Sequence, residues 1–231
     1  MYELSDRIKY SEVGEDGKLM FHQLLNYFQD CSSFHLEDIG IHLEQLNMAF
    51  YMLSWQVEIN RMPKISETIT VGTLMHGGKG AFGYRNYVMR DANDEILAYA
   101  NMVGCFIDIQ TQNLLKLTVD QHKMFPVEKK LEMEYLPRKI KMPTFETRYS
   151  PVLVSRYHID MNHHVNNSQY AAMALDYLPN DWKYTRVQVE YKKAAREGQL
   201  LIPTTVLIDD IFYLAFSDEQ QQPYVLFAFS K

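Results

Sequence analysis

The chain has 231 residues, 47% apolar and 23% charged, and a net charge of −6 at pH 7. That balance belongs to a globular protein and excludes wholesale disorder. The acidic surplus argues against general affinity for nucleic acid or an anionic membrane, because either needs a surplus of Lys and Arg to replace counterions. The opening "MYELSDRIKY" carries charges where a signal peptide has an apolar centre, and no uncharged apolar run reaches the roughly 18 residues of a membrane span. A soluble cytoplasmic protein is expected. Cys31 and Cys105 fit no paired or metal-ligand spacing, so no disulfide is expected.

The first periodic element is a helix. Phe21, Leu24, Leu25, Phe28 and Cys31 recur at helical spacing and predict a core-facing stripe. Asp16 and His22 lie near its start, and His22 reads as structural. Next, "WQVEINRMPKISETITVGT" from Trp55 predicts strand, interruption, strand. "GKGAFG" from Gly78 matches the dinucleotide fingerprint in its letters, but the strand "YRNYVMRD" follows it where a helix amino terminus is needed, so nucleotide binding is not expected. "AFGYRNYVMRDANDEILAYANMVGCFIDI" then predicts alternating strands around an Asp-Ala-Asn-Asp turn.

Clustered charges with Pro126, Pro137 and Pro143 interrupt every period in the next stretch. We place a first unit at 1–120, a linker at 121–148 and a second unit at 149–231. The second unit repeats the first. Tyr170, Met173, Ala174, Tyr177 and Leu178 form another helical stripe, "VQVEYKKAAREGQLLIPTT" from Val187 lies without gaps over the Trp55 segment, and "IFYLAFSDEQQQPYVLFAFS" predicts two shorter strands. Each half is thus a helix on an antiparallel sheet, the α+β class, and one continuous sheet wrapping both helices is the economical arrangement.

Chemistry concentrates in "HIDMNHHVNNSQY", residues 158–170. Asn166, Asn167 and Ser168 are helix-starting types, which places His164 just before a helix amino terminus with Asp160 and Asn162 upstream. Three readings are open. His158, Asp160, His163 and His164 carry metal-ligand chemistry, but adjacent histidines seldom face one ion and no helical His-x-x-x-His pair is present. The same polar types equally suit a loop that only caps a helix. In the third reading the imidazole is a base, with an acid and an amide to fix its tautomer.

"DMNHHVNNSQY" resembles the Asp-x-Asn-x-His-Val-Asn-Asn-x-x-Tyr signature of the acyl-ACP thioesterases, and "WQVEINRMPKISETITVGT" and "VQVEYKKAAREGQ" resemble that family's strands. The resemblance implies a double hotdog fold and hydrolysis of a fatty acyl-ACP thioester without cofactor or metal. It places the catalytic Asp, Asn and His on Asp160, Asn162 and His164, and suggests that amides near Val165 and Asn166 receive the oxyanion. Relatives commonly carry Glu, and plant members then Cys, where this chain has Ala194 and Ala195. Glu190 or Glu197 would have to replace the missing acid, with Asn167 as a further auxiliary. Lys183, Arg186, Lys192, Lys193 and Arg196 form a candidate patch for an acidic carrier. Phe21, Phe28, Phe50, Met52, Phe82 and Tyr84 are candidates to line an acyl tunnel. Acyl-CoA hydrolysis and non-catalytic acyl binding are the alternatives, and the assembly is expected to be a monomer or a homodimer.

Overall fold

The computed structural model describes residues 1–180 and 182–231. Residues 1–53 and 57–136 form one compact unit, and residues 54–56 with 137–231 the other. Both are α+β.

In the first unit the helix α1, Phe21–Asp38, lies on a sheet of five strands: β1 (Tyr2–Arg7), β2 (Met48–Ile59), β3 (Thr68–Lys79), β4 (Phe82–Asp91) and β5 (Ile96–Asp108), in the order β1-β3-β4-β5-β2. The expected stripe is the buried one: Leu24, Leu25, Phe28 and Cys31 have no exposed surface and Phe21 almost none. Each large apolar side chain removed from water contributes about 1.5–3 kcal/mol. Phe28 meets the ring of Tyr87 on β4 at 5.1 Å, and the Cys31 thiol donates to the Val71 carbonyl of β3 at 3.4 Å. The edge strand β1 was not anticipated; it pairs antiparallel with β3 from Tyr2↔Thr73 to Arg7↔Thr68.

The glycines of "GKGAFG" serve a hairpin between β3 and β4, not a helix terminus. Gly80 turns at φ +62°, and a Cβ on Gly78 or Gly83 would press to 3.1 Å on His122 or Phe50. In the Asp-Ala-Asn-Asp turn, Asp91 accepts from the amides of Asn93 and Glu95 at 2.9 and 3.0 Å.

The second unit carries β6 (Thr147–Arg148), β7 (Val152–Leu153), β8 (Arg186–Tyr191), β9 (Leu200–Ile208), β10 (Ile211–Ser217) and β11 (Pro223–Ser230). The order is β8-β11-β10-β9-β6, and β7 pairs with the start of β9. Strand, interruption, strand therefore occurs in both halves, as β2 and β3 and as β8 and β9. A short α2, Val119–Lys123, precedes the linker proper, and α3, Asn167–Leu175, is the second unit's helix. At nine residues α3 is not the long helix expected. Pro179 disfavours a helical residue before it, and the chain turns after Leu175, leaving Tyr177 and Leu178 outside the helix. Tyr177 still packs, 5.9 Å from Phe216 and 4.8 Å from Tyr149.

The segment expected to be a linker covers each sheet in turn. Within the first unit, the Leu131 amide and the Tyr135 hydroxyl donate to Asn86 Oδ1 at 3.0 and 2.9 Å. Asn101 Oδ1 joins His76 Nε2 at 2.9 Å and accepts from Asn86 Nδ2 at 3.4 Å. Within the second, Ile140 packs on Ala215, Leu226 and Ala228. Its amide donates to Glu190 Oε2 at 2.9 Å. In the second unit, β11 is apolar and buried on both faces from Tyr224 to Phe229.

Candidate active site

Residues 159–165 form a tight loop closed by an antiparallel bridge between Ile159 and Val165. The Asp160 amide donates to the His164 carbonyl at 2.9 Å, and the His163 amide to the Asp160 carbonyl at 3.1 Å. The Asp160 carboxylate accepts from the Asn162 amide at 2.8 Å and, at a long 3.5 Å, from that of His164. An aspartate that turns back on its own backbone is a local device for fixing a loop. It has a strained member, His163, at φ +60°.

Asn166 then caps α3: its Oδ1 accepts from the amide and the hydroxyl of Ser168, both at 2.9 Å. The helix start is clamped from the side by fully buried Ala195. The Ala195 amide donates to the Tyr170 hydroxyl at 3.0 Å, and its carbonyl accepts from the Val165 amide at 2.9 Å. His164 is thus fixed between a closed loop and a capped helix. Asp160 and His164 are half-buried and Asn162 is exposed.

Burial holds the His164 imidazole below the ordinary histidine range, the Arg196 guanidinium presses it further down, and the Asp160 charge opposes both. The ring is neutral at neutral pH, the state a general base needs. Asp160 is near enough to stabilise an imidazolium when one forms.

Several predicted residues lie elsewhere or are occupied. The Val165 amide is bonded to Ala195 and the Asn166 amide to the His158 carbonyl at 2.9 Å, so neither is available to an oxyanion. Glu190 is buried at 2% exposure and committed to the linker: besides the Ile140 amide it takes Lys192 Nζ at 3.0 Å and lies 4.0 Å from Arg138. Glu197 is exposed in the turn ending at Gly198, φ +82°. Asp160 is the acid whose charge acts on His164 most plainly, raising its proton affinity. Asn167 accepts at its carbonyl from the Tyr191 hydroxyl at 3.1 Å, a packing role at the helix start. His158 Nδ1 accepts from the Ser155 amide at 3.1 Å, and among the described residues no three His, Cys, Asp or Glu side chains gather to hold a metal ion.

The basic patch is partly spent. Lys193 is paired with Asp218 and sits 4.3 Å from the Tyr224 ring, Lys192 is held by Glu190, and Arg186 is half-buried; Lys183 and Arg196 are exposed. Of the tunnel candidates, Phe50 and Tyr84 line a cavity in the first unit, while Phe21 and Phe28 are core. Tyr170 and Ala195 were missed as positioning groups. Tyr170 was legible as a buried helix position, but nothing in the sequence told its hydroxyl which amide to meet.

The sequence model of the acyl-ACP thioesterase N-terminal domain matches residues 1–125, and that of the C-terminal domain matches residues 141–223. The chain belongs to the acyl-ACP thioesterase family. Among curated relatives of this family it is 24% identical to the chloroplastic acyl-[acyl-carrier-protein] hydrolase FATB3 of Cuphea viscosissima, with 89% of this chain and 55% of the relative covered. It is 21% identical to the chloroplastic oleoyl-acyl carrier protein thioesterase of Coriandrum sativum, over 84% of this chain and 59% of that protein. The chain spans little more than half the length of these relatives. Among solved structures, an acyl-ACP thioesterase from Bacteroides thetaiotaomicron superposes with a TM-score of 0.90 at 20% identity, covering 99% of this chain and 96% of that one. The 12:0-ACP thioesterase from Umbellularia californica gives 0.85 at 17% identity, covering 99% and 96%. These likenesses establish the hotdog fold expected from the sequence. No described helix is long and apolar enough to cross a membrane.

Proposed function

We propose that this chain hydrolyses the thioester of fatty acyl-acyl carrier protein and releases the free fatty acid. The observation that carries the reading is a neutral His164 fixed at the capped start of α3 beside the Asp160 charge. His164 takes a proton from water as its oxygen attacks the thioester carbonyl carbon. The resulting imidazolium is stabilised by Asp160 and returns the proton to the departing thiolate as the tetrahedral intermediate collapses. With the Val165 and Asn166 amides occupied, the exposed Asn162 carboxamide is the donor assigned to the developing oxyanion. Ala194 and Ala195 supply no nucleophile or acid, so water activation falls to His164.

The carrier arm of the substrate is acidic by the family resemblance, and exposed Lys183 and Arg196 are the cations left to meet it. Two free, buried cysteines, Cys31 and Cys105, suit a cytoplasmic setting. Turnover of a long-chain acyl-ACP, measured beside the same acyl-CoA for wild type and His164→Ala, tests the reading. Hydrolysis that depends on His164 and prefers the ACP thioester is expected, and activity that survives the substitution removes the site. Lys183→Glu is expected to slow the ACP substrate more than the CoA one; equal slowing rejects the patch.

A further inference from the structure

The loop that carries His164 exists twice in the chain. In the second unit a turn at Arg156–His158 leads to the Ile159–Val165 bridge and the start of α3; in the first, a turn at Tyr10–Glu12 leads to a Val13–Leu19 bridge and the start of α1. The backbone bonds correspond one for one. The Gly14 amide donates to the Lys18 carbonyl at 2.9 Å as that of Asp160 does to His164, and the Met20 amide donates to the Glu12 carbonyl at 3.0 Å as that of Asn166 does to His158. Gly17, at φ +70°, turns where His163 does. The Leu19 amide donates to the Pro63 carbonyl at 2.8 Å, in the place of the Val165 bond to Ala195. Lys18 therefore stands where the second copy has its candidate base.

One bond has no counterpart. Tyr170 corresponds to Leu24 and Ala195 to Pro63, and all four are buried. Leucine has no polar side-chain atom and proline no N–H, so the first unit's pair cannot make the bond that joins the Tyr170 hydroxyl to the Ala195 amide at 3.0 Å. The frame closes without it. The copy that holds the base carries it in addition, and it ties Ala195 at both ends, by its amide to α3 and by its carbonyl to the residue after His164. Arg196 follows directly, and its charge acts on the His164 ring, as do those of Asp160 and His163. Tyr170 is itself packed, with the ring of Tyr191 at 6.2 Å and that of Phe216 at 6.4 Å.

We propose that Tyr170 is a positioning residue: through the Ala195 amide, its hydroxyl holds Arg196 in one place beside His164. The bearing of this on turnover rests on the hydrolase reading. The Arg196 charge disfavours the imidazolium, so a held Arg196 keeps the base unprotonated between turnovers.

NMR titration of the histidine ring protons in the full chain tests this without substrate, the His164 signal being the one lost in His164→Ala. Tyr170→Phe is expected to move the His164 titration up, toward the ordinary histidine range, and to move it less in an Arg196→Gln background, because both substitutions act through one charge. Tyr191→Phe is the control: it deletes a hydroxyl at the same helix start that is bonded at 3.1 Å to the Asn167 carbonyl instead of to Ala195, and it should leave the titration in place. An unmoved titration in Tyr170→Phe, an equal move in Tyr191→Phe, or a full-sized move that persists with Arg196→Gln overturns the proposal. On acyl-ACP, Tyr170→Phe is expected to lower kcat by about tenfold or more at unchanged KM; unchanged kcat in a chain whose hydrolysis depends on His164 overturns it as well. Should Tyr170→Phe not fold, Tyr170→Leu combined with Ala195→Pro, the first unit's pairing, leaves no amide unmet and must fold with the same shift; failure to fold, or an unmoved titration, overturns the proposal. A chain that shows the shift without hydrolysis dependent on His164 sinks the functional reading alone; one with that hydrolysis and an unmoved titration sinks this inference alone.

Discussion

The two units set the same elements to different uses, and the contrast is sharpest where each helix begins. In the first, His22 is the second residue of α1, after a Met20 cap position that makes no side-chain bond. Its Nε2 meets the side-chain Nε2 of Gln23 at 3.1 Å, its Nδ1 is buried without a partner among the described residues, and burial alone depresses its proton affinity. In the second, His164 stands two residues before a capped helix, on a loop that an aspartate folds back on itself, with charges of both signs acting on the ring. A histidine at a helix start is common to both. What makes a candidate base is the irregular approach, which places Asp160 within electrostatic reach of the ring.

The largest effect that sharpens this contrast is on catalysis. General-base groups contribute typically about 10²–10⁴-fold, so His164→Ala should lower kcat/KM on acyl-ACP by that order while His22→Ala leaves it near the wild-type value. Steady-state rates of the two variants, side by side, check it. A large loss from His22→Ala would mean that the first helix start also does chemistry.

Much of this was legible because it is local. The α1 stripe, the paired strand segments and the polar loop before α3 depend on periodicity and capping types, which are written in consecutive residues. What was not legible depends on partners far along the chain. Glu190 was one of two acids that would have to replace the missing one, but Ile140, fifty residues earlier, claims its carboxylate. The amides of Val165 and Asn166 looked open, yet Ala195 and His158 occupy them. Ala194 and Ala195 read as missing chemistry; Ala195 has become a backbone clamp on Tyr170 and Val165.

The next effect falls in the first unit, whose sheet is closed on by an aromatic ring. A methyl on Gly104 would overlap the Phe50 ring and approach the Tyr51 carbonyl oxygen to 2.9 Å. Overpacking of this kind costs about 1–3 kcal/mol, so Gly104→Ala should lower the melting temperature, and adding Phe50→Leu should recover part of the loss. The second unit offers a smaller counterpart. Asn166→Ala removes the two bonds to Ser168 and should cost about 1 kcal/mol in denaturant titration, with a loss of turnover beyond the loss of folded protein because His164 hangs on the same helix start. Turnover unchanged per folded molecule would separate the cap from the catalytic geometry.

The smallest expected effect is the most specific to the second unit. His164 binds its proton below the ordinary histidine range because burial, and after it the Arg196 charge, disfavour the imidazolium. The neutral ring is the active form, so turnover should hold at mildly acidic pH and fall only as pH drops through that depressed value. Between the depressed and the ordinary value the unfolded chain binds the proton more readily than the folded one, so stability also rises with pH across this window. Arg196→Gln removes a cation that opposes protonation and must raise the acid limb of the pH–rate profile. Asp160→Asn removes the anion that favours protonation and must move the same limb lower, while also slowing the reaction. Both charges are close to solvent, so each shift should stay within about one pH unit and shrink with added salt. Shifts of opposite sign from two substitutions on either side of one ring identify that ring as the titrating base; shifts of the same sign, or none, would assign the acid limb to another group.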